Sequence, residues 1–323
     1  MRTVAREIII ESIKANTNLP SRSLARMVFE KHPDLFDSIE HARALIRYYR
    51  GANGKESRGK FPDDTFSNKY NLPESEEDEY YAHQLPSYRS MVLLYDIHLP
   101  YHFIPALNVA LDDIKARQPD CIYIGGDMLD FYQLSRFQKD PRRRSFSEEL
   151  EMGKKFFEIL RGISPNSDII YQLGNHEERF ENYMYTRAPE LLGVSEFKLQ
   201  TLLQCATYGV EIIDKKRYAH KDGLNIIHGH EFGQQIFTPV NPARGLYLKA
   251  KRNTICGHHH QTSEHSEADI EGNVVTCWSV GCLSGLNPEY RPLNKYNHGY
   301  ATIEFEGGIF RVTNTRIVNG QRY

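Results

Sequence analysis

The sequence predicts an α/β (α+β) fold preceded by a small helical module, and three observations carry this prediction. From residue 88 onward, short and continuously apolar segments alternate with segments of helical length. The second half of the chain has more strand-like segments and fewer helical ones, whereas residues 1–51 have only helical patterns. Because strands of a parallel sheet are covered on both faces, they are apolar along their whole length.

The N-terminal module is predicted to form three short helices, because apolar side chains recur there at helical spacing. Val4, Ile8 and Ile13 mark the first helix. Ser21 and Ser38 are candidate N-caps of the second and third helices, since serine accepts a hydrogen bond from the first turn. The third helix is expected to end at the glycine of position 51.

The third helix carries a basic face that resembles a helix-turn-helix recognition surface. Arg43, Arg47 and Arg50 lie at positions i, i+4 and i+7, where they would contact phosphates or base edges. Residues 1–60 carry a net charge of +5 and the remainder −7, so the two parts are expected to have different partners. A solvated basic face on a helical appendage remains the alternative.

The polar segment 52–87 is rich in Gly, Pro, Ser and charged residues and has no periodicity, which is typical of a linker. We therefore divide the chain into a helical module (1–51), a linker (52–87) and an α/β domain (88–323).

The α/β domain alternates predicted strands with predicted helices in its first half. SMVLLYD, CIYIGGD and DIIYQLGNH are continuously apolar strands, and IPALNVALDDIKARQ and FSEELEMGKKFFEILRGI are the helices between them. The strands predicted in the second half are VEIID, LNIIHGH, NTICGHH, VVTCWSVG, YATIEF and IFRVTNTR.

Composition limits the class of protein. The 323 residues are 40% hydrophobic and 25% charged, as in globular proteins. No apolar run approaches the roughly 20 residues that span a bilayer, so no membrane partner is expected. The five cysteines form no CxxC pair and most lie in apolar runs, which favours buried free thiols and a cytoplasmic location. The sequence gives no indication of oligomeric state.

Polar residues follow the ends of five predicted strands. They are Asp96 and His98, then Asp127 and Asp130, then Asn175 and His176, then His228 and His230, and finally His258, His259 and His260. Ligand sites in open α/β sheets lie beyond the carboxyl ends of strands. Each block alone could be a turn, a helix start or a surface histidine, but their joint occurrence predicts a dinuclear metal site with mixed nitrogen and oxygen ligands.

The blocks DIH, GGDMLD, GNHE, HGH and GHHH, in that order, resemble the signature of calcineurin-like metallophosphoesterases over roughly residues 90–262. The resemblance implies a four-layer αββα sandwich of two mixed sheets flanked by helices. The later segment SVGCLSGLNPEYRPLNKYNHGYATIEF is similar to C-terminal segments of family members encoded by phages and prophages.

The resemblance also implies which residues bind metal. One divalent ion would be held by Asp96, His98, Asp127 and His260, and a second by Asp127, Asn175, His228 and His258. Mn²⁺ is the ion we expect first, with Fe, Zn²⁺, Ni²⁺ or Mg²⁺ as alternatives. His176 is implied to protonate the leaving oxygen, and Asp130 to orient its imidazole.

Two departures from the family pattern matter. Phe131 stands where phosphoprotein phosphatases have an arginine after GDxxD, so the residue that grips the phosphate is unassigned; Arg179, Arg244 and Arg291 are candidates. His259 replaces a small residue of the usual GHTH.

Alternation along an extended backbone would direct the first and third histidines of GHHH to the same side and His259 away from it. We therefore expect His259 to tolerate replacement by threonine. His230, the second histidine of HGH, either lines the cleft or is a surface side chain.

The predicted function is that of a metal-dependent phosphoesterase, in which a hydroxide shared by two ions attacks a phosphodiester. A nucleic acid, DNA in particular, is the favoured substrate because of the basic module and the phage-like segment. One alternative is a phosphomonoesterase or a nucleotide or cyclic-nucleotide hydrolase, with the N-terminal module serving oligomerisation. Another is a non-catalytic binding scaffold.

Overall fold

The computed structural model divides the chain into two compact units, Met1–Asp78 and Glu79–Tyr323. Most of the predicted linker and the expected end of the third helix at position 51 lie outside the described residues. The structure describes residues 2–16, 19–50, 73, 80–136, 140, 142, 145–214, 216–233 and 240–323.

The described residues of the first unit form three α-helices around a small apolar core: α1 (Arg2–Ala15), α2 (Ser21–Lys31) and α3 (Ile39–Tyr49). On α1 the buried side chains are Ala5, Ile9 and Ile13, whereas Val4 is 48% exposed. Of the predicted apolar residues of α1, Ile13 is therefore confirmed and Val4 was wrong, while Ile8 is only partly buried against the core. Two overlapping sets of residues have helical spacing there.

Of the two predicted caps, one is confirmed. The Ser38 hydroxyl accepts a hydrogen bond from the His41 backbone N–H (3.1 Å), as an N-cap does. Ser21 is instead the first helical residue of α2, and its hydroxyl accepts a hydrogen bond from the Arg50 guanidinium (3.2 Å).

The second unit is built from two mixed sheets and several helices. The strands are β1 (His83–Gln84), β2 (Ser90–Leu94), β3 (Cys121–Ile124), β4 (Asp168–Gln172), β5 (Val210–Ile213), β6 (Ala219–Lys221), β7 (Leu224–Ile226), β8 (Thr254–Cys256), β9 (Ser263–Ala268), β10 (Val274–Ser279), β11 (His298–Glu306), β12 (Ile309–Val318) and β13 (Gln321–Arg322). The α-helices are α4 (Ile104–Arg117), α5 (Phe146–Ile163), α6 (Glu178–Arg187), α7 (Leu199–Leu202), α8 (Cys205–Tyr208) and α9 (Pro242–Ala250).

Within the described residues, one sheet has the order β1-β6-β7-β8-β10-β9 and the other β13-β12-β11-β2-β3-β4-β5. Strands β2 to β5 are parallel, and so are β7, β8 and β10. Because parallel strands end at the same edge, the loops that follow them meet there.

The core forms two layers on either side of the longer sheet. Along β2, Val92 and Leu94 pack with residues of α4 and α5, whereas Met91 and Leu93 face the other sheet. Helix α9 packs on the outer face of the second sheet. The predicted sandwich of two mixed sheets flanked by helices is therefore confirmed.

Four strands, β1, β6, β9 and β13, were not predicted. Strands β1, β6 and β13 have only two or three residues each, and β9 (SEHSEA) lacks an apolar run because it is largely exposed. None of the helices in the described part of the chain is long and apolar enough to cross a membrane.

Candidate metal centre

The five sequence blocks meet at one edge of the two sheets. Each block supplies its first polar side chain two or three residues after a strand end. These side chains are Asp96 after β2, Asp127 after β3, Asn175 after β4, His228 after β7 and His258 after β8. The parallel strands thus explain why residues more than 160 positions apart in sequence become neighbours, such as Asp96 and His258.

The first donor group comprises Asp96, His98, Asp127 and His260. The His98 Nε2 atom lies 3.2 Å from His260 Nε2 and 4.0 Å from Asp96 Oδ1. His260 Nε2 lies 3.3 Å from Asp96 Oδ1. The Asp127 Oδ2 atom is 3.8 Å from His98 Nε2, so this carboxylate closes the group.

The second donor group comprises Asp127, Asn175, His228 and His258. The His228 Nε2 atom is 3.4 Å from Asp127 Oδ2, 3.1 Å from Asn175 Oδ1 and 3.2 Å from His258 Nδ1. Asp127 therefore stands between the two groups, as a bridging carboxylate would.

The donor atoms fit a divalent metal. Ligand atoms about 2.0–2.2 Å from an ion lie roughly 3–3.5 Å apart, which is the spacing of most of these pairs. The Asp96 Oδ1 atom is buried and has no hydrogen-bond partner among the described residues, although His260 Nε2 is 3.3 Å away. An unsatisfied buried carboxylate oxygen is costly unless a cation binds it.

Hydrogen bonds on the far side of two imidazoles set which nitrogen faces the site. His228 Nδ1 lies 2.9 Å from the Gly125 carbonyl oxygen, which can only accept, so Nδ1 carries a proton and Nε2 is the nitrogen that faces the site. His98 Nδ1 lies 3.1 Å from Asp130 Oδ2, with the same consequence. Both rings are held as metal-binding imidazoles are held.

The carboxylates and imidazoles of the site shift one another's pKa. Burial alone would raise the pKa of the Asp96 carboxyl, but the His260 imidazole lowers it to about 2. Burial alone would lower the pKa of His228, yet Asp127 raises it to about 10. Burial and the charge of His228 hold the pKa of His258 well below its usual range. Ionised carboxylates beside a neutral imidazole suit a divalent ion.

Five of the seven predicted ligands have left-handed backbone. Their φ angles are 51° (Asp96), 50° (His98), 51° (Asp127), 64° (His258) and 54° (His260). Such conformations are uncommon outside glycine and cluster at functional sites.

The argument from strand alternation for GHHH was wrong. Strand β8 ends at Cys256, and the left-handed residues His258 and His260 bring their rings to the site. His259 does not point away: it lines the same cavity of about 760 Å³ as the donor groups. Its tolerance of threonine stays a prediction.

His176, the predicted proton donor, lies beside both donor groups. Its Nε2 atom is 3.8 Å from Asp127 Oδ2, and its Nδ1 atom is 2.9 Å from the Asp130 carbonyl oxygen and 3.3 Å from Asp130 Oδ2. The Asp130 carboxylate is thus shared between His176 and His98. Burial alone would lower the pKa of His176, but Asp127 and Asp130 raise it.

The three candidate arginines differ in whether they line the cavity at the donor groups. Arg179 and Arg291 line the cavity above the donor groups. The Arg179 Nη2 atom lies 2.9 Å from His176 Nε2, and its Nη1 atom donates to the Asp130 carbonyl oxygen (2.8 Å). Arg244 is on α9 near Glu267 and does not line this cavity.

Sequence reasoning missed the carboxylates that hold the ligand loops. The buried Glu177 side chain accepts backbone N–H bonds from Asp127 (3.0 Å), Leu129 (3.0 Å) and Gly174 (2.8 Å). It therefore ties the GGDMLD block to the GNHE block. Its position directly after His176 was the available signal, but the partners are remote in sequence.

A second carboxylate does the same for the HGH block. Glu231 accepts the backbone N–H of His228 (2.9 Å) and of Gly229 (2.6 Å). His230, left open by the sequence, is buried, and its Nε2 atom lies 2.9 Å from Glu178 Oε1. It is therefore not a surface side chain.

Glycine is required at two points of close approach. A Cβ atom on Gly126, whose φ is +98°, would collide with the His228 ring. A Cβ on Gly174 would collide with the Asp127 carboxylate. These glycines let the ligand loops come together.

In the first unit, the three predicted nucleic-acid contacts differ in their surroundings. Arg50 donates to the carbonyl oxygens of Leu19 (2.6 Å) and Asn16 (3.1 Å). Its guanidinium is engaged within the unit, so it is not available as the sequence suggested. Arg43 pairs with Glu40 (3.1 Å), and Arg47 is exposed. A nucleic-acid role for Arg43 and Arg47 stays a prediction.

Comparison with known proteins gives phage relatives. No protein-family model matches the chain. It is 26% identical over 240 residues to the Gene 54 protein of Mycobacterium phage L5, covering 72% of this chain and 90% of the relative. The Gene 54 protein of Mycobacterium phage D29 is 25% identical over 232 residues, with coverages of 70% and 89%. Both are phage proteins, in agreement with the phage-like segment.

Similar solved structures include a Vps29 single mutant from Entamoeba histolytica (12% identity, TM-score 0.40, covering 72% of this chain and 96% of that one). Others are YfcE, a phosphoesterase from E. coli (16%, 0.34, 71% and 97%), and a dimetal phosphatase from Danio rerio (9%, 0.35, 70% and 95%). The two mixed sheets flanked by helices that the resemblance implied are present, and they bring the five blocks to one edge.

Proposed function

We propose that this chain is a dinuclear metal-dependent phosphoesterase that hydrolyses phosphodiesters. The observation that carries the proposal is the pair of donor groups that share Asp127. In each group, three donor atoms of His and Asp lie within 4.8 Å of one another. Mn²⁺ is the ion we expect first, since carboxylate, amide and imidazole ligands suit it. Two bound ions would supply Lewis acidity and lower the pKa of water so that it attacks at neutral pH.

His176 is the residue proposed to hand a proton to the leaving oxygen. Asp130 restrains its ring through Nδ1, so Nε2 is directed to the cleft. Arg179, next to this nitrogen, is the proposed partner of a phosphoryl oxygen, because guanidinium groups bind such oxygens through two parallel bonds. Arg179 would then contact the phosphate in place of the arginine that phosphoprotein phosphatases have at the position of Phe131.

A diester is favoured over a monoester by the shape of the cleft. The cavity of about 760 Å³ above the donor groups adjoins a second of about 450 Å³, and both are lined by His98, Asp130 and His260. Space therefore extends beyond the donor groups, as a phosphate with two substituents requires.

The proposed diester is a nucleic acid, for which the exposed Arg47 and the half-buried Arg43 on α3 are the supporting residues outside the cleft. Each phosphate contact adds about one unit to the dependence of log affinity on log salt. Arg43→Ala with Arg47→Ala should weaken DNA binding and reduce that slope by about two. Arg252→Ala, an exposed arginine of the second unit, is the control. If the dependence of log affinity on log salt is unchanged in the double variant, Arg43 and Arg47 of the first unit do not contact DNA.

The proposal is tested with Mn²⁺-loaded protein on methyl p-nitrophenyl phosphate, a diester, and p-nitrophenyl phosphate, a monoester. We expect faster release of p-nitrophenol from the diester. On a dinucleotide diester, whose leaving alkoxide needs a proton, His176→Ala should lower kcat by roughly 10²–10⁴-fold, the scale of general acid catalysis, with metal content unchanged. The p-nitrophenyl esters should be slowed much less, because p-nitrophenolate leaves without a proton. A strong monoester preference would overturn the diesterase proposal, and loss of metal in the variant would make His176 a ligand.

A further inference from the structure

The C-terminal segment that the sequence likens to phage proteins forms a loop, residues 285–296, with a rigid base. The Cys282 N–H donates to the Asn297 carbonyl oxygen (3.0 Å), and the Gly299 N–H donates to that of Cys282 (3.2 Å). The His298 ring stacks on Phe103, with centroids 4.5 Å apart and planes 2° from parallel. These hydrogen bonds and the stacked rings therefore hold the two ends of the loop together.

The loop reaches the candidate metal centre. The Asn297 N–H donates to the His260 carbonyl oxygen (2.9 Å), and the Tyr296 ring lies 4.6 Å from the His260 ring. Arg291 lies over Tyr296, with Cζ 5.8 Å from the ring centroid. Tyr290 lines both cavities of the cleft and is 71% exposed. The loop thus presents two aromatic rings and a cation beside the donor groups.

A second aromatic wall stands in the adjoining cavity. Tyr101 and Tyr132 line it with ring centroids 6.4 Å apart, and Tyr132 also lines the larger cavity. The tyrosines of this wall and of the loop therefore line one continuous cleft that begins at the donor groups.

A carboxylate, Glu289, also lines both cavities. A carboxylate repels phosphate, but it accepts hydrogen bonds from the exocyclic amino groups of nucleobases. Aromatic rings, an arginine and an acceptor together suit the flat face and the edge of a base. Bases within a duplex are stacked on their neighbours and do not offer their faces.

We propose that the loop 285–296, together with Tyr101 and Tyr132, recognises an unpaired nucleobase attached to the phosphodiester that the metal centre hydrolyses. Tyr290 supplies the principal stacking surface and Arg291 meets a flanking phosphate. The proposal rests on the proposed function and narrows its substrate to single-stranded nucleic acid or nucleotide diesters. Stacking is indifferent to the sugar, so DNA and RNA are separate arms of the test.

The test uses full-length Mn²⁺-loaded protein and esters that share one leaving group. They are the p-nitrophenyl phosphate esters of deoxyadenosine, adenosine and 1,2-dideoxyribose, each in 3′ and 5′ forms, and methyl p-nitrophenyl phosphate. The measured quantity is kcat/KM for each nucleoside ester divided by that for the base-free sugar ester. Stacking of one base is worth about 1–3 kcal/mol, so the ratio should be roughly 5- to 150-fold for at least one form. Equal ratios for the deoxyadenosine and adenosine esters would mean that both DNA and RNA are substrates. A higher ratio for one of the two nucleosides would identify the preferred sugar.

Tyr290→Ala should bring this ratio close to one, whereas Tyr290→Phe should keep it. Tyr323→Ala is the control, since this tyrosine is 85% exposed and lines neither cavity. On oligonucleotides, single strands should be cleaved at least tenfold faster than duplexes. Circular dichroism checks that each variant is folded.

A ratio of about one in the wild-type protein, or a ratio that Tyr290→Ala does not change, overturns the inference while hydrolysis of the methyl ester keeps the proposed function. If the protein releases p-nitrophenol from none of the esters, the proposed function itself is contradicted.

Discussion

The two donor groups use similar side chains but differ in charge and burial. The first has two carboxylates, and its residues Asp96, His98 and His260 are at most 6% exposed. The second has only the shared Asp127 carboxylate, and its residues Asn175 and His258 are half-buried. One group thus has two carboxylates and is enclosed, whereas the other has one carboxylate and is less buried.

This difference predicts which of the two groups binds its ion more tightly and which one is accessible to substrate. Two carboxylates in a buried setting bind a divalent ion more tightly than one carboxylate with an amide. The half-buried residues of the second group leave room for a phosphoryl oxygen beside the ion. We therefore expect unequal affinities, with the second group releasing its ion first when the protein is dialysed against a chelator.

The largest effect should come from removing what the two groups share. Asp127→Ala should abolish binding of both ions and lower diester hydrolysis by on the order of 10³-fold or more, because several kcal/mol of transition-state stabilisation depend on them. Metal content by mass spectrometry and p-nitrophenol release measure the two effects. Asp214→Ala, a half-exposed carboxylate away from the donor groups, is the control. Retention of two ions would contradict a bridging role.

The asymmetry itself is tested by removing one ligand from each group. His258→Ala should leave about one ion per chain. Asp96→Ala should lose both, because the Asp96 Oδ2 atom also accepts the His258 backbone N–H (2.8 Å) and so supports the second group. Equal losses in the two variants, measured as ions per chain, would mean that the groups are equivalent.

A smaller effect is expected from the carboxylate behind the ligands. Glu177→Gln turns an acceptor of three backbone bonds into a side chain with one acceptor oxygen, so metal affinity should fall by about 10–100-fold, the usual scale for groups that orient ligands. Glu178→Gln, the neighbouring carboxylate that contacts His230 instead, is the matched control. Titration of the metal-free proteins with Mn²⁺ gives the comparison, and identical affinities would limit Glu177 to a packing role.

Glu149 supports the loop behind Asp130, and its replacement should have the smallest effect on hydrolysis. The effect expected there is on stability. Burial, with the charge of Asp130, raises the pKa of Glu149 to about 8, and its carboxyl accepts the Phe131 N–H. The folded state therefore favours the neutral carboxyl. This contribution to stability is complete below the unfolded pKa of about 4.5 and is lost as pH rises through about 8.

Glu149→Gln is neutral at every pH and should be more stable relative to wild type at pH 9 than at pH 5, by on the order of a few kcal/mol. Urea denaturation at several pH values measures the difference. Glu151→Gln, exposed on the same helix, is the control. A difference that does not change with pH would show that Glu149 is ionised throughout.

The sequence predicted the parts of the fold and site that depend on local pattern. Continuously apolar segments identified β2, β3 and β4, and the residues just after these strands and after β7 and β8 identified the donor atoms. A strand buried on both faces is visible in one chain segment alone, and so is a histidine that follows it.

What the sequence could not predict depends on partners distant in the chain. The bonds of Glu177 to Asp127 and of Arg50 to Leu19 follow no spacing rule. The left-handed backbone at His258 and His260 was likewise missed, because histidine adopts it only where the surrounding structure holds it there. The tyrosines of the cleft come from three separate loops, and only the fold brings them together.

The left-handed ligand backbones have an evolutionary consequence. Each costs the folded chain on the order of 1 kcal/mol, which glycine or asparagine would largely avoid. The proposed metal chemistry is what requires aspartate and histidine at these five positions. In a descendant that kept the fold but no longer needed the reaction, we expect these positions to change early, and toward glycine or asparagine. Such a lineage would gain stability as it lost its chemistry, and its sequence would record the order of the loss.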